Sequence, residues 1–150
     1  MSKILMVCLG NICRSPLAEG ILKAKTNHLD VLVDSAGTSA YHISEQPDIR
    51  SIAIAKKHGI DLSCQRARQF CINDFDKFDK IYAMDTSNYT NIISLARSES
   101  DKEKVDLILN EINPRSFQSV PDPYYGGDNG FQDVYDMLDK ACVKIVEQLG

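Results

Sequence analysis

Four short β-favouring runs, Lys3-Val7, Asp30-Asp34, Lys80-Met84 and Val105-Leu109, alternate with stretches of helical periodicity. The helical patterns cover Leu17-Lys25, Asp48-His58 (closed by Gly59), Asn73-Phe78 and Ser87-Arg97. A last, clearer one carries Phe131, Val134, Leu138, Ala141, Ile145 and Leu149 at steps of three and four. Helices long enough to serve as crossovers between strands predict an α/β chain whose parallel sheet is covered on both faces. Such sheets bind ligands beyond the carboxyl ends of their strands, where successive connections diverge to opposite faces. A length of 150 residues suits one domain over the whole chain, and no repeat, low-complexity tract or linker divides it.

The first strand run ends in the densest chemistry of the sequence, Cys8-Leu9-Gly10-Asn11-Ile12-Cys13-Arg14-Ser15. A helix start follows: Ser15 reads as its N-cap, Pro16 as its first position, and Glu19 falls in its first turns. A strand that turns sharply into a helix points backbone N–H groups into the turn, where the helix dipole favours an anion. Gly10 and Asn11 supply residues that tolerate left-handed backbone. A bare Cys-x5-Arg also describes an inert cysteine ahead of a surface arginine, but this flanking context reads as an oxyanion cradle with a nucleophile in its floor. Ser35-Ala36-Gly37-Thr38, Asp85 and the loop after the fourth strand should gather on the same sheet edge.

Composition narrows the partners. A net charge of −4 argues against nonspecific nucleic-acid binding, which needs a basic face. No apolar stretch is long enough for a membrane span, and Gly10-Asn11 interrupts the short N-terminal apolar run, so no signal peptide is expected. The five cysteines are scattered, with neither a C-x-x-C pair nor zinc-type spacing, which fits a reducing cytoplasm and no metal. Cys64, Cys71 and Cys142 read as packing residues.

A second constellation, Val120-Pro121-Asp122-Pro123-Tyr124-Tyr125-Gly126-Gly127, precedes the last helix. Asp-Pro before Gly-Gly is an ordinary turn signal, and alone it makes Asp122 a turn residue. Its expected return to the carboxyl edge, with two adjacent tyrosines as an aromatic wall, favours a catalytic loop.

With both segments in view, the chain resembles the low-molecular-weight protein tyrosine phosphatases. The matching residues run from Val7 to Glu19, then Asp34-Ser35-Ala36-Gly37-Thr38, Pro47-Asp48, Ala67-Arg68-Gln69, Ala83-Met84-Asp85 and Pro121-Asp122-Pro123-Tyr124-Tyr125-Gly126. The resemblance implies a doubly wound four-stranded parallel sheet of order 2-1-3-4, in agreement with the strand count. It implies that Cys8 forms a phosphocysteine intermediate, that Arg14 grips the phosphoryl oxygens, and that Asp122 is the general acid. Asn11 and Ser35 would hold the loop, and Ser15 would steady the thiolate. Leu9, Gly10, Ile12 and Cys13 complete the substrate-binding loop, with Asn11 and Ser15 part of it. Tyr41, Tyr124 and Tyr125 would wall the mouth, favouring an aryl phosphate on a phosphotyrosine-bearing protein. No cofactor is implied, and a monomer is the default. Resemblance also suggests that oxidation closes a Cys8–Cys13 disulfide, the alternative being that Cys13 merely packs.

Two departures stand out: Gln65 replaces a histidine that supports the loop in many relatives, and Ser44 replaces a glycine. His42 and His58 read as surface or helix-terminal. Among rivals, an arsenate reductase needs two further cysteines after the third strand, and Ile81 to Arg97 has none. A protein arginine phosphatase carries threonine at the position of Ile12. A non-catalytic phosphate-binding module would need neither Cys8 nor Asp122.

Overall fold

In the computed structural model, which describes residues 1–123 and 127–149 (and not the Asp128 side chain), the strands form one parallel sheet of order β2-β1-β3-β4. They are β1 (Ser2–Cys8), β2 (Val31–Gly37), β3 (Lys80–Ala83) and β4 (Val105–Leu107). Helix α1 (Arg14–Lys25) joins β1 to β2, α2 (Ile49–Lys57) and α3 (Asp74–Lys77) lie between β2 and β3, and α4 (Thr86–Ser94) and α5 (Glu99–Glu103) between β3 and β4. Helix α6 (Gly130–Leu149) closes the chain. The expected α/β architecture and strand order are therefore observed.

Alternation along β1 builds the two layers. Ile4, Met6 and Cys8 face a core shared with Leu17, Ile21, Val134, Leu138 and Ile145, from α1 and α6. Leu5 and Val7 face the other core, with Phe70, Phe75, Phe78 and Ile92. Side chains of period two facing two helical layers explain why β1 reads as an unbroken apolar run. Because β1 pairs with β2 on one side and β3 on the other, the ends of all three meet at one crevice: Cys8 lies opposite Gly37 and Val7 opposite Ala83. This is the switch point at which a ligand site is expected.

Several boundaries move for local reasons. β2 runs three residues past Asp34, since Ser35, Ala36 and Gly37 keep pairing with Met6, Val7 and Cys8. β4 stops at Leu107 because Ile108–Glu111 tightens into a 3-10 turn. Asp48 sits outside α2 as its N-cap, accepting from the Arg50 N–H at 2.9 Å, and His58 is its C-cap, stacked on Tyr135 at 4.0 Å between ring centroids. Helix α5 was not expected, although Ser98 and Asp101 are spaced as a capping pair and the Ser98 hydroxyl accepts from the Asp101 N–H at 3.3 Å. No helix among the described residues is long and apolar enough to cross a membrane.

Candidate active site

The Cys8–Arg14 loop is held from both sides. Asn11 adopts φ +58°, the left-handed conformation that asparagine tolerates better than most residues. Its side-chain amide donates to the Ser15 hydroxyl at 2.8 Å and the Ser35 hydroxyl at 2.9 Å, while its oxygen accepts from the Arg68 N–H at 3.0 Å. One side chain thus ties the loop to α1, to the end of β2 and to the segment before α3. The outward carbonyls are also engaged: Cys8 O accepts from the Thr38 N–H at 2.9 Å, Leu9 O from the Ser39 N–H at 2.9 Å, and Ile12 O from the Asp48 N–H at 2.7 Å. Gly37 is required by this approach, because a Cβ there would lie 2.7 Å from Leu9 O.

Cys8 lies in the floor of this loop, 3% exposed. Its Sγ is 2.9 Å from the Ser15 hydroxyl and receives the Asn11 N–H at 3.3 Å. At the far end, Arg14 donates from Nη1 to Asp85 Oδ2 at 2.8 Å and to Val120 O at 2.9 Å. Asp85 is itself anchored, since its other oxygen caps α4 by accepting from the Asn88 N–H at 2.7 Å. Val120 N–H donates to Met84 O at 2.8 Å, so the segment leading to Asp122 is fastened to the end of β3. On its other side that segment abuts α6, where Gly130 lies against the Pro123 carbonyl with no room for a Cβ.

The result is a small cavity of about 130 Å³ that brings Cys8, Arg14 and Asp122 together, although the first and last lie 114 positions apart in sequence. Leu9, Gly10, Ile12, Cys13 and Tyr41 line it as expected, and Ser39 and His42 also do so. Tyr41 stands at the mouth, 81% exposed. Asn11, Ser15 and Ser35 lie behind the loop as its supports. Tyr124 and Tyr125, expected to form the aromatic wall, lie outside the described residues. A preformed, polar-floored cavity of this size suits one phosphoryl group, with an attached ring leaving through the mouth.

A profile of the family described as low molecular weight phosphotyrosine protein phosphatase matches residues 3–150. This chain belongs to that family. The phosphatase is 40% identical to the low molecular weight phosphotyrosine protein phosphatase of Schizosaccharomyces pombe, over 91% of this chain and 89% of that one. It also superimposes with a TM-score of 0.90 on the crystal structure of a protein tyrosine phosphatase from Entamoeba histolytica with Hepes in the active site. That pair is 38% identical, covering 99% of this chain and 97% of the other. The crystal structure of a Drosophila arginine phosphatase is similar too, with a TM-score of 0.87 and 32% identity over 97% of this chain and 96% of that one.

Some sequence expectations for the phosphatase need correction. Ser15 is not the N-cap of α1: the cap position is Cys13 and the helix starts at Arg14. The Ser15 hydroxyl is taken up by Cys8 and Asn11, so chemistry outweighs capping. Cys64 and Cys71 are exposed rather than packed, since both lie in irregular segments around the loop supports. Cys142 is buried as expected, and burial pushes its thiol up to about 12. His42 lies at the surface as expected, with its ring also over Gly10 on the cavity wall and its Nδ1 paired with Glu45 at 2.8 Å. Gln65 donates to Pro16 O at 3.1 Å, a contact to the first turn of α1.

Ser44 has φ +72°, a left-handed backbone that glycine adopts without strain. Ser44→Gly is expected to raise stability by roughly 1 kcal/mol, the left-handed cost for a side chain less the greater freedom of an unfolded glycine. Denaturant unfolding of the two proteins reads this directly, and an unchanged or lowered midpoint would contradict it.

Proposed function

We propose that this phosphatase, acting as a single domain and a cytoplasmic monomer, hydrolyses phosphotyrosine in proteins in two steps through a phosphocysteine at Cys8. In the first step the Cys8 thiolate attacks phosphorus, the P–O bond to the tyrosyl ring breaks, and Asp122 gives its proton to the departing phenolate. In the second, water attacks phosphorus, Asp122 takes its proton, the P–S bond breaks with its electron pair returning to sulfur, and inorganic phosphate leaves. The observation that carries this reading is the shared cavity: a sulfur fixed by two hydrogen bonds, a guanidinium and a carboxyl group, all facing one space of phosphoryl size.

Each role follows from what the group can do. Phosphoryl transfer is mainly positioning and charge stabilisation, which backbone N–H groups, Arg14 and the start of α1 supply. Arg14 uses Nη1 for Asp85 and Val120 O, so its remaining edge is the one to present to phosphoryl oxygens as a planar fork. A phenolate whose conjugate acid has a pKa of about 10 is a poor leaving group near neutrality, which makes a proton from Asp122 valuable. Tyr41 at the mouth and Leu9 and Ile12 along the loop offer apolar contact to a substrate ring.

The second reading is an arginine phosphatase, favoured by the likeness to the Drosophila enzyme. Phosphotyrosine and phosphoarginine peptides of the same flanking sequence, assayed side by side, separate the two. The proposal expects kcat/KM at least about tenfold higher for phosphotyrosine, because Ile12 and Tyr41 suit a flat ring better than a cationic guanidine. Preference for phosphoarginine would overturn it.

A further inference from the structure

Behind the loop, a buried carboxylate outside the proposed chemistry ends a chain of short contacts that leads back to the reactive sulfur. Glu19, on α1, is 3% exposed, and its Oε1 accepts from the Ser35 hydroxyl at 2.6 Å. Its Oε2 is paired with Lys23, one turn further along α1, at 2.6 Å. Ser35 then receives the Asn11 amide at 2.9 Å, the same amide reaches Ser15 at 2.8 Å, and Ser15 lies 2.9 Å from Cys8 Sγ.

The direction of the bonds in this chain is set from two ends, by the Glu19 carboxylate and by the hold on the Asn11 amide. An ionised carboxylate can only accept, so Ser35 must spend its single proton on Glu19. The Ser35 oxygen is then purely an acceptor toward Asn11. The Asn11 amide cannot turn over to escape this arrangement, because its oxygen is held by the Arg68 N–H at 3.0 Å. Both amide protons are thereby directed at hydroxyl oxygens, one on Ser35 and one on Ser15. With its oxygen receiving that proton, Ser15 has its own proton to give, and the sulfur is the acceptor in reach.

We propose that Glu19 is a positioning residue whose carboxylate makes the Ser35 hydroxyl an acceptor and so, together with the Arg68 N–H, holds the Asn11 amide in the pose that aims the Ser15 proton at the sulfur. Lys23 is part of the device: its ammonium, half-exposed at the outer end, engages the carboxylate's other oxygen and leaves Oε1 to Ser35. The proposal rests on the phosphocysteine chemistry above, and it assigns the relay to the second step. When the P–S bond breaks, a full negative charge returns to sulfur, and an O–H already pointing at it stabilises that charge without reorganisation.

Glu19→Gln tests the direction of the relay with little change in shape. The Lys23 ammonium attracts the new amide's oxygen, which turns its NH2 toward Ser35 and sends the Ser35 proton back against Asn11. Hydrolysis of the phosphoenzyme is expected to slow about tenfold, the worth of one hydrogen bond to a charged group. In a two-step scheme this lowers kcat and KM together, leaves kcat/KM within about twofold, and raises the fraction of enzyme caught as phosphocysteine on acid quenching. Adding Lys23→Met frees the glutamine to present its oxygen to Ser35 again, and most of the lost kcat should return.

A loss of packing alone would lower kcat and kcat/KM together and would not be rescued by a second substitution. Either of those results, or unchanged kinetics in Glu19→Gln, would overturn the proposal. Ser35→Ala breaks the same link without altering the charge and should give the same split, so an unstable Glu19 variant does not leave the question open. Failure here is distinguishable from failure of the two-step reading, which would show as a wild-type enzyme that never forms a phosphoenzyme.

Discussion

Cys8→Ser is expected to leave no measurable turnover of an aryl phosphate, a loss on the order of 10⁶-fold as for other enzymes stripped of their nucleophile. The side chains are nearly the same size, and the contacts of Cys8 Sγ with Ser15 and the Asn11 N–H can form to an oxygen, so the loop should keep its shape. What changes is the nucleophile: a hydroxyl is far less acidic and a weaker nucleophile than a thiol, and the Cys8–Arg14 loop itself carries no base to activate it. Phosphate should therefore still compete for the site, measured as protection of the loop or by direct titration. Loss of phosphate binding together with activity would mean that the substitution had collapsed the cradle. Retained turnover would remove Cys8 from the chemistry.

Asp122→Asn is expected to lower kcat by roughly 10²- to 10³-fold for a phenyl or tyrosyl phosphate, within the range of a single general acid. The effect should depend on the leaving group. An aryl phosphate bearing a strongly electron-withdrawing ring releases a stable anion and needs less proton transfer, so its first step should be far less impaired. Asp122 is carried on a segment fixed by Val120 to β3 and by Pro123 to α6, so an isosteric amide disturbs the proton rather than the position. A series of aryl phosphates compared by kcat/KM tests this, and an equal loss for all of them would contradict the assignment of Asp122 as the acid.

The cradle was readable from the sequence because it is local. An apolar run, a Gly-Asn pair and a helix start lie within thirteen residues of one another, from Ile4 to Pro16, and each carries its own backbone preference. Asp122 was readable only with the topology, since nothing in a Pro-Asp-Pro turn tells that it returns to the end of β3. The supports were less legible still. Glu19 looks like a helix-favouring surface residue, and only the packing of α1 against β2 shows it buried beneath Ser35. Asp85 could be placed on the sheet edge, but its grip on Arg14 depends on a side-chain geometry that spacing does not encode. The contribution of Arg68 to the loop comes from its backbone N–H, to which its side-chain type gives no clue. Ser15 misled for the opposite reason: it has the chemistry of an N-cap, and a stronger competing use in the site took it.

A covalent phosphoryl group on Cys8 can be trapped by rapid acid quenching. The enzyme is mixed with a phosphotyrosine substrate, quenched during steady turnover, digested and examined by mass spectrometry. A phosphoryl group is expected on the peptide containing Cys8, formed fast enough to lie on the path to free phosphate. A phosphoryl group on any other residue, or steady turnover with none on the protein, would contradict it.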